Sequence, residues 1–281
     1  MFAVVKLRKF IYFAVIIFVL SVFAVIHGEF DDERELVVLM YHSVLKDTSR
    51  SGKYIVTPDS LESDIKYLNS HGYVSVLPSD IISYVYDGKA LPEKPYLITF
   101  DDGSYNNLTY VLPILERNDA YALISVVGSY SENFSKTDEA NAAYSYLRWS
   151  DIDELIESGR VEIGNHSYDF HSITKTRTGA KIARYEDENE YIKRFTDDTE
   201  KTENLLENNC GFKPIVYAYP YGAYCKQSET VLDNKGYKMT FTCEEGKNVL
   251  SHNPECLKLL KRYNRSGNAY TDAFFLKRNI K

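Results

Sequence analysis

Positive charge is in short supply in this chain. The 281 residues hold 33 lysines and arginines against 40 aspartates and glutamates, giving a formal net charge of −7 and a pI near 5.5. Nucleic-acid binding rests on clustered Lys and Arg that neutralise phosphates, so this balance argues against it and favours an uncharged or weakly charged partner. Cysteine is also sparse. Cys210, Cys225, Cys243 and Cys256 all fall in the C-terminal third, and no two are spaced C-x-x-C. That argues against a cysteine zinc site and leaves either buried thiols or disulfides, whose pairing the sequence cannot choose. No Ala-x-Ala cleavage signal follows the N-terminal apolar run, and after that run no comparable apolar stretch recurs.

The run itself is informative. Lys6, Arg8 and Lys9 precede "FIYFAVIIFVLSVFAVI", which carries no charge, and Asp31, Asp32 and Glu33 follow it. Cations before and acids after orient such a segment with its N-terminus in the cytoplasm, so the bulk of the chain is expected outside. At about 17 residues the run is at the lower limit for a spanning helix, and the missing cleavage site favours an uncleaved signal anchor over a secreted product. The expected organisation is a basic tail over 1–9, an anchor helix over 10–28, a linker over 29–35 and one catalytic domain over 36–281, acting as a monomer.

Beyond the linker, strand-like and helical stretches alternate. "LVVLMYHSV", "VSVL", "YLITF", "ALISVVG", "VEIGN", "IVYAYP" and "YKMTFT" read as strands. Helices are predicted from Pro58 to a stop at Gly72, over 79–86, around 112–117, from Ser150 towards Gly159, over 195–209 and over 228–235. The polar segment 174–195 reads as an insertion crossing the rim. Such alternation implies an α/β fold with a parallel sheet, and seven or so units suggest a distorted (β/α)7-type barrel.

Chemistry in such folds sits where strands end, and polar clusters recur there. Asp101 and Asp102 follow "LITF", His42 follows "VVLMY", His166 and His171 follow "VEIGN", and Tyr219 to Gly222 follow "IVYA". A carboxylate and two imidazoles on one rim are the ligand set of a catalytic metal. Two adjacent carboxylates then divide, one binding metal and the other taking a proton from the attacking water. Spacing alone does not say which does which.

"TFDDG", "GNHSYDFH" and "YAYPYG", in this order, resemble the polysaccharide deacetylases of the NodB-homology type, carbohydrate esterase family 4. "LMYHSV" and "LKRYNR" are similar to the membrane-anchored branch that includes poly-N-acetylglucosamine deacetylases. The resemblance implies a divalent metal, usually Zn2+, with Co2+, Ni2+ or Fe2+ as alternatives. It makes Asp102, His166 and His171 the ligands, Asp101 the general base and the backbone N–H of Tyr221 an oxyanion donor. Four residues, not the commoner three, separate the two histidines. Ala218 stands where the family usually has an arginine that orients the base, so another group must hold Asp101. The late histidine that normally supplies a general acid is absent, and His42, ending the first strand, is the replacement candidate. His71 and His252 are read as helix-end and loop residues. For Trp149, core packing and sugar stacking are both open. The expected reaction is hydrolysis of N-acetyl groups on an extracytoplasmic N-acetylglucosamine polysaccharide. An O-acetyl esterase and an inactive carbohydrate-binding wall protein are the competing readings.

Overall fold

The computed structural model describes residues 33–137 and 139–281, and Arg34–Lys281 form one unit. The expected anchor over 10–28 lies outside the described residues. Among the described residues no helix is long and apolar enough to cross a membrane.

Chain order is β1 (Arg34–Tyr41), β2 (Ser43–Val44), β3 (Ile55–Val56), α1 (Pro58–Ser70), β4 (Val74–Ser75), α2 (Pro78–Asp87), β5 (Pro95–Phe100), α3 (Leu112–Arg117), β6 (Ala122–Val126), α4 (Gly128–Ser135), α5 (Trp149–Glu157), β7 (Val161–Asn165), α6 (Glu188–Cys210), β8 (Val216–Ala218), α7 (Lys226–Lys235), β9 (Met239–Phe241), β10 (Asn248–Leu250), β11 (Tyr263–Asn264) and α8 (Thr271–Lys277). Local chemistry accounts for the ends. Thr57 caps α1 by accepting from the Ser60 N–H with Pro58 in the first turn, and Asp187 caps α6 by accepting from Asn189 and Glu190. The α6 cap corrects the expected insertion: its last eight residues, 188–195, are the first two turns of a long helix. The α4 helix was not anticipated, because "GSYSENFS" has little apolar periodicity.

The sheet order is β10-β1-β5-β6-β7-β8-β9, with β4 on β5 and β11 on β1. All these pairings are parallel except β10 against β1, so the sheet is mixed, not wholly parallel as the alternation implied. It curls into a half-barrel, an incomplete form of the expected barrel. Its strands are apolar on both faces, as buried parallel strands are. Val37, Leu39, Ile98 and Phe100 pack in one cluster with α1, α3, α5 and α8, while Leu36, Val38, Leu97 and Phe241 pack in a second with α2.

One late segment bridges the open side of the curl. Leu260 N–H donates to Thr240 O (2.8 Å), Thr242 N–H to Leu260 O (3.0 Å) and Arg262 N–H to Glu244 O (2.8 Å) on the β9 side. Tyr263 and Asn264 then pair with Leu39 and Met40 of β1, and Arg265 N–H donates to Met40 O. This places side chains of 260–265 directly beside the C-terminal ends of β1, β5 and β9.

Candidate metal-hydrolase site

The β5 ladder runs one residue past the strand, with Asp101 N–H donating to Tyr41 O (3.0 Å). Asp101 continues the face of Leu97 and Thr99 by strand alternation. The chain then turns sharply: Asp102 has φ 72° and Gly103 φ 70°. It is this left-handed turn, more than strand alternation, that sends the two carboxylates different ways. A Cβ on Gly103 would stand 2.9 Å from Val126 Cγ1, so the turn needs glycine for space as well as conformation.

Asp101 is buried and gripped by Arg262. Nη1 donates to Oδ1 (2.7 Å) and Nη2 to Oδ2 (2.9 Å), while Nε donates to Thr242 O and Nη1 also reaches Thr99 Oγ1 (3.1 Å). Burial pushes the Asp101 carboxyl up, but the Arg262 charge and the two Arg262 hydrogen bonds outweigh it and hold the group well below the usual carboxylate range. Arg262 is therefore the group that replaces the arginine missing at Ala218. Nothing local in "LKRYNR" marks this arginine as a partner of Asp101. The available signal was an arginine in a strand-like segment bound to close the sheet.

Asp102, His166 and His171 converge, with one ligand atom from each within 4.8 Å of the others. Asp102 Oδ1 lies 3.0 Å from His171 Nε2 and 3.5 Å from His166 Nε2. It is buried without a well-formed hydrogen bond, although the three groups are this close. Lone pairs facing one another in this way suit a cation between them, so the donor set fits a divalent metal. His166 Nδ1 donates to Ala218 O (2.7 Å), which leaves Nε2 as the free lone pair. Burial lowers the His166 pKa and so favours the neutral ring; burial works the same way on His171, but the Asp102 carboxylate overrides it and raises that group.

The loop between the histidines is clamped. Asn165 Oδ1 accepts from Ser167 N–H (2.8 Å), Ser167 Oγ from Phe170 N–H (3.2 Å), and the two carboxylate oxygens of Asp198, on α6, from Tyr168 and Asp169 N–H (2.8 Å each). Ser167 sits at φ 101° within it. The extra residue between the histidines is thus accommodated by a fixed turn.

His42 lines the same cavity, of about 620 Å³, with Asp101, Asp102, His166 and His171. Its Nδ1 is buried without a partner, its ring lies 4.7 Å from that of Tyr54, and its carbonyl accepts from Asn107 Nδ2 (3.2 Å). Tyr221, at φ 59°, lays its ring on His171 at 4.8 Å, with its hydroxyl 3.4 Å from Nδ1. A Cβ on Gly222 would approach Cys243 N to 2.4 Å, so this turn too is closely packed. Every residue expected at the site therefore lines one cavity. His71 instead stacks on Tyr67, and His252 Nδ1 faces Tyr84 O (3.0 Å). Trp149 packs against the larger core cluster. The four cysteines are free thiols; burial pushes Cys210 up to about 12.

A family model described as polysaccharide deacetylase matches residues 88–240, more than half of the chain. The poly-beta-1,6-N-acetyl-D-glucosamine N-deacetylase of Escherichia coli (strain K12) is 28% identical over 228 residues, which cover 75% of this chain and 34% of that protein. The chain thus spans about a third of that relative's length. The protein of the same description from Staphylococcus aureus (strain MSSA476) is 26% identical over 227 residues, covering 76% of this chain and 73% of that one. The structure of IcaB from Ammonifex degensii superposes with a TM-score of 0.63 at 26% identity, over 84% of this chain and 88% of that one.

Proposed function

The chain belongs to the polysaccharide deacetylase family, and from that membership we propose that it hydrolyses N-acetyl groups on an N-acetylglucosamine-containing glycan outside the cytoplasm, as a metal-dependent enzyme held at the membrane by residues 10–28. The observation that carries the proposal is the pairing of two carboxylates with two fates: Asp101 locked onto Arg262, and Asp102 facing two imidazole nitrogens in the same cavity.

Asp102, His166 and His171 would hold the cation. When bound there, a divalent ion would polarise the acetamide carbonyl and lower the pKa of water. Asp101 accepts the proton of the attacking water; the Arg262 fork keeps it ionised and aims it, since both oxygens are fixed and neither can rotate away. As the water oxygen adds to the carbonyl carbon, the Tyr221 N–H donates to the developing oxyanion, an interaction worth about 3 kcal/mol in other hydrolases. His42 then delivers a proton to the nitrogen as the C–N bond breaks. Acetate and a free amine are the products. A buried, unpartnered ring nitrogen on His42 supports that role, because a group reserved for the substrate needs an atom the protein leaves unused.

The test is acetate release and amine formation on N-acetylated oligosaccharides and, in parallel, on oligosaccharides that also carry O-acetyl groups, by the purified full chain with and without chelator. Asp101→Asn is expected to retain metal and lose about 10²- to 10⁴-fold in rate, whereas Asp102→Asn is expected to lose metal. Retention of metal in Asp102→Asn with loss in Asp101→Asn would reverse the two roles, and acetate release without a new amine would make the enzyme an O-acetyl esterase.

A further inference from the structure

The cavity above the candidate metal site sets two cations against two carboxylates. Its lining carboxylates are Asp101 and Asp102, and both are committed, one to Arg262 and one to the histidine pair. The other charged side chains that line it are Arg50 and Lys53, from the segment joining β2 to β3. Both are exposed at the mouth. Arg50 uses one N–H on Ala143 O (3.2 Å), and Lys53 Nζ lies 4.8 Å from the centre of the Tyr54 ring. No ion pair within 4.0 Å involves either of them among the described residues.

A further cation lies just outside. A neighbouring depression of about 450 Å³ shares Arg50 and Ala143 with the cavity and adds Lys46, whose Nζ lies 4.9 Å from the centre of the Tyr110 ring. The one carboxylate there, Asp47, accepts from the N–H and hydroxyl of Ser49. The segment is also held firmly. Asn264 Nδ2 donates to Lys53 O (3.1 Å), Gly267 N–H to Gly52 O (2.8 Å) and Ser43 N–H to Tyr54 O (3.1 Å). The two cations thus stand on backbone tied to the C-terminal segment that also carries Arg262.

We infer that Arg50 and Lys53 form a subsite for an anionic substituent, a carboxylate or a phosphate, on a sugar next to the one deacetylated. The inference rests on the deacetylase reading and narrows its substrate. A glucosamine polymer gains ammonium groups as it is deacetylated, and two unpaired cations at the mouth repel such a product. An acidic sugar unit offsets them, since a guanidinium and an ammonium each donate charge-assisted hydrogen bonds to a carboxylate or phosphate oxygen. A net charge of −7 favours an uncharged partner on sequence grounds; a ligand at this mouth meets two exposed cations, while the two lining carboxylates are engaged with Arg262 and the histidines.

The experiment uses three oligosaccharides of equal length and N-acetyl content: one neutral, one with O-lactyl carboxylates on alternate sugars, and one with phosphate esters at those positions. Binding to the full chain and acetate release are measured at low and high salt. The expected result is about tenfold tighter binding of at least one anionic oligomer over the neutral one at low salt, with the gap narrowing as salt screens it. R50Q and K53Q should each reduce that anionic-to-neutral ratio several-fold. Which anion gains identifies the substituent. Equal binding of all three, or variants that leave the ratio unchanged, overturns the subsite. Preferential anionic binding lost in the variants, but with no acetate released from any oligomer, upholds the subsite and removes the deacetylase reading instead.

Discussion

Arg262 and Asp101 are both buried, and their two parallel hydrogen bonds make the pair more than a source of stability. A carboxylate buried alone would take up a proton and could not serve as the proposed base; the guanidinium keeps it ionised and fixes its plane. Arg262→Gln removes the charge and leaves a buried carboxylate unpaired, a change expected to lower stability by about 3–5 kcal/mol. Urea unfolding measures it. Arg262→Lys keeps a charge without the fork, so its stability is expected to recover more than its rate does, because aim depends on the second hydrogen bond. Equal activity in Arg262→Lys and the unmodified chain would remove the orienting role. His42 poses the complementary case. His42→Ala is expected to retain metal and lose about 10²- to 10⁴-fold in kcat, and unchanged kcat would return it to a structural strand-end residue.

At the scale of elements, α6 holds the histidine loop through Asp198. Burial pushes this carboxyl up to about 6, although the Tyr168 and Asp169 amides it accepts from pull the other way. An acid whose folded pKa lies above its unfolded value binds its proton more tightly when folded. Its contribution to stability is therefore complete below about pH 4 and is lost as pH rises through about 6, by at most roughly 3 kcal/mol. Glu162 and Glu229 are shifted the same way by burial, so the useful readout is a difference. Chemical denaturation in chelator, comparing the unmodified chain with Asp198→Asn from pH 4 to 7, is expected to show a difference that changes across this window. A constant difference would mean that Asp198 does not titrate there.

For the molecule as a whole, the late segment is held at two points three residues apart. Arg262 grips Asp101, and Arg265, also buried, donates to both oxygens of Asp64 on α1 (2.7 and 3.1 Å), which further accepts from Tyr41 and Thr271 hydroxyls. The first point serves the site and the second ties α8 and the open side of the curl to α1. Arg265→Met alone strands the Asp64 charge and is expected to cost about 3–5 kcal/mol, whereas Arg265→Met with Asp64→Leu should recover most of that loss. Thermal and urea unfolding of the single and double variants decide the matter. Equal losses in both would mean that the pair is valued for the hydrogen bonds to Tyr41 and Thr271 and not for its charge balance.

Much of this was legible along the chain. Continuous apolar runs such as "LVVLMY" and "YLITF" reveal buried strands because both faces are covered, and the alternation with capped helices implies the sheet they form. Strand ends announced the site, since Asp101 and His42 follow apolar runs directly, Asp102 comes next after Asp101, and His166 and His171 come after the strand "VEIGN". What sequence could not supply is contact across large separations. Arg262 lies 161 residues from Asp101, Asp198 lies 30 from Tyr168, and Arg50 and Lys53 meet the cavity only because β2 and β3 fold over it. The proposed division of labour between the two aspartates likewise rests on the turn at Asp102 and Gly103. Periodicity encodes what each residue does to its near neighbours, whereas ion pairing, burial and local field depend on which distant segments the folded chain brings together.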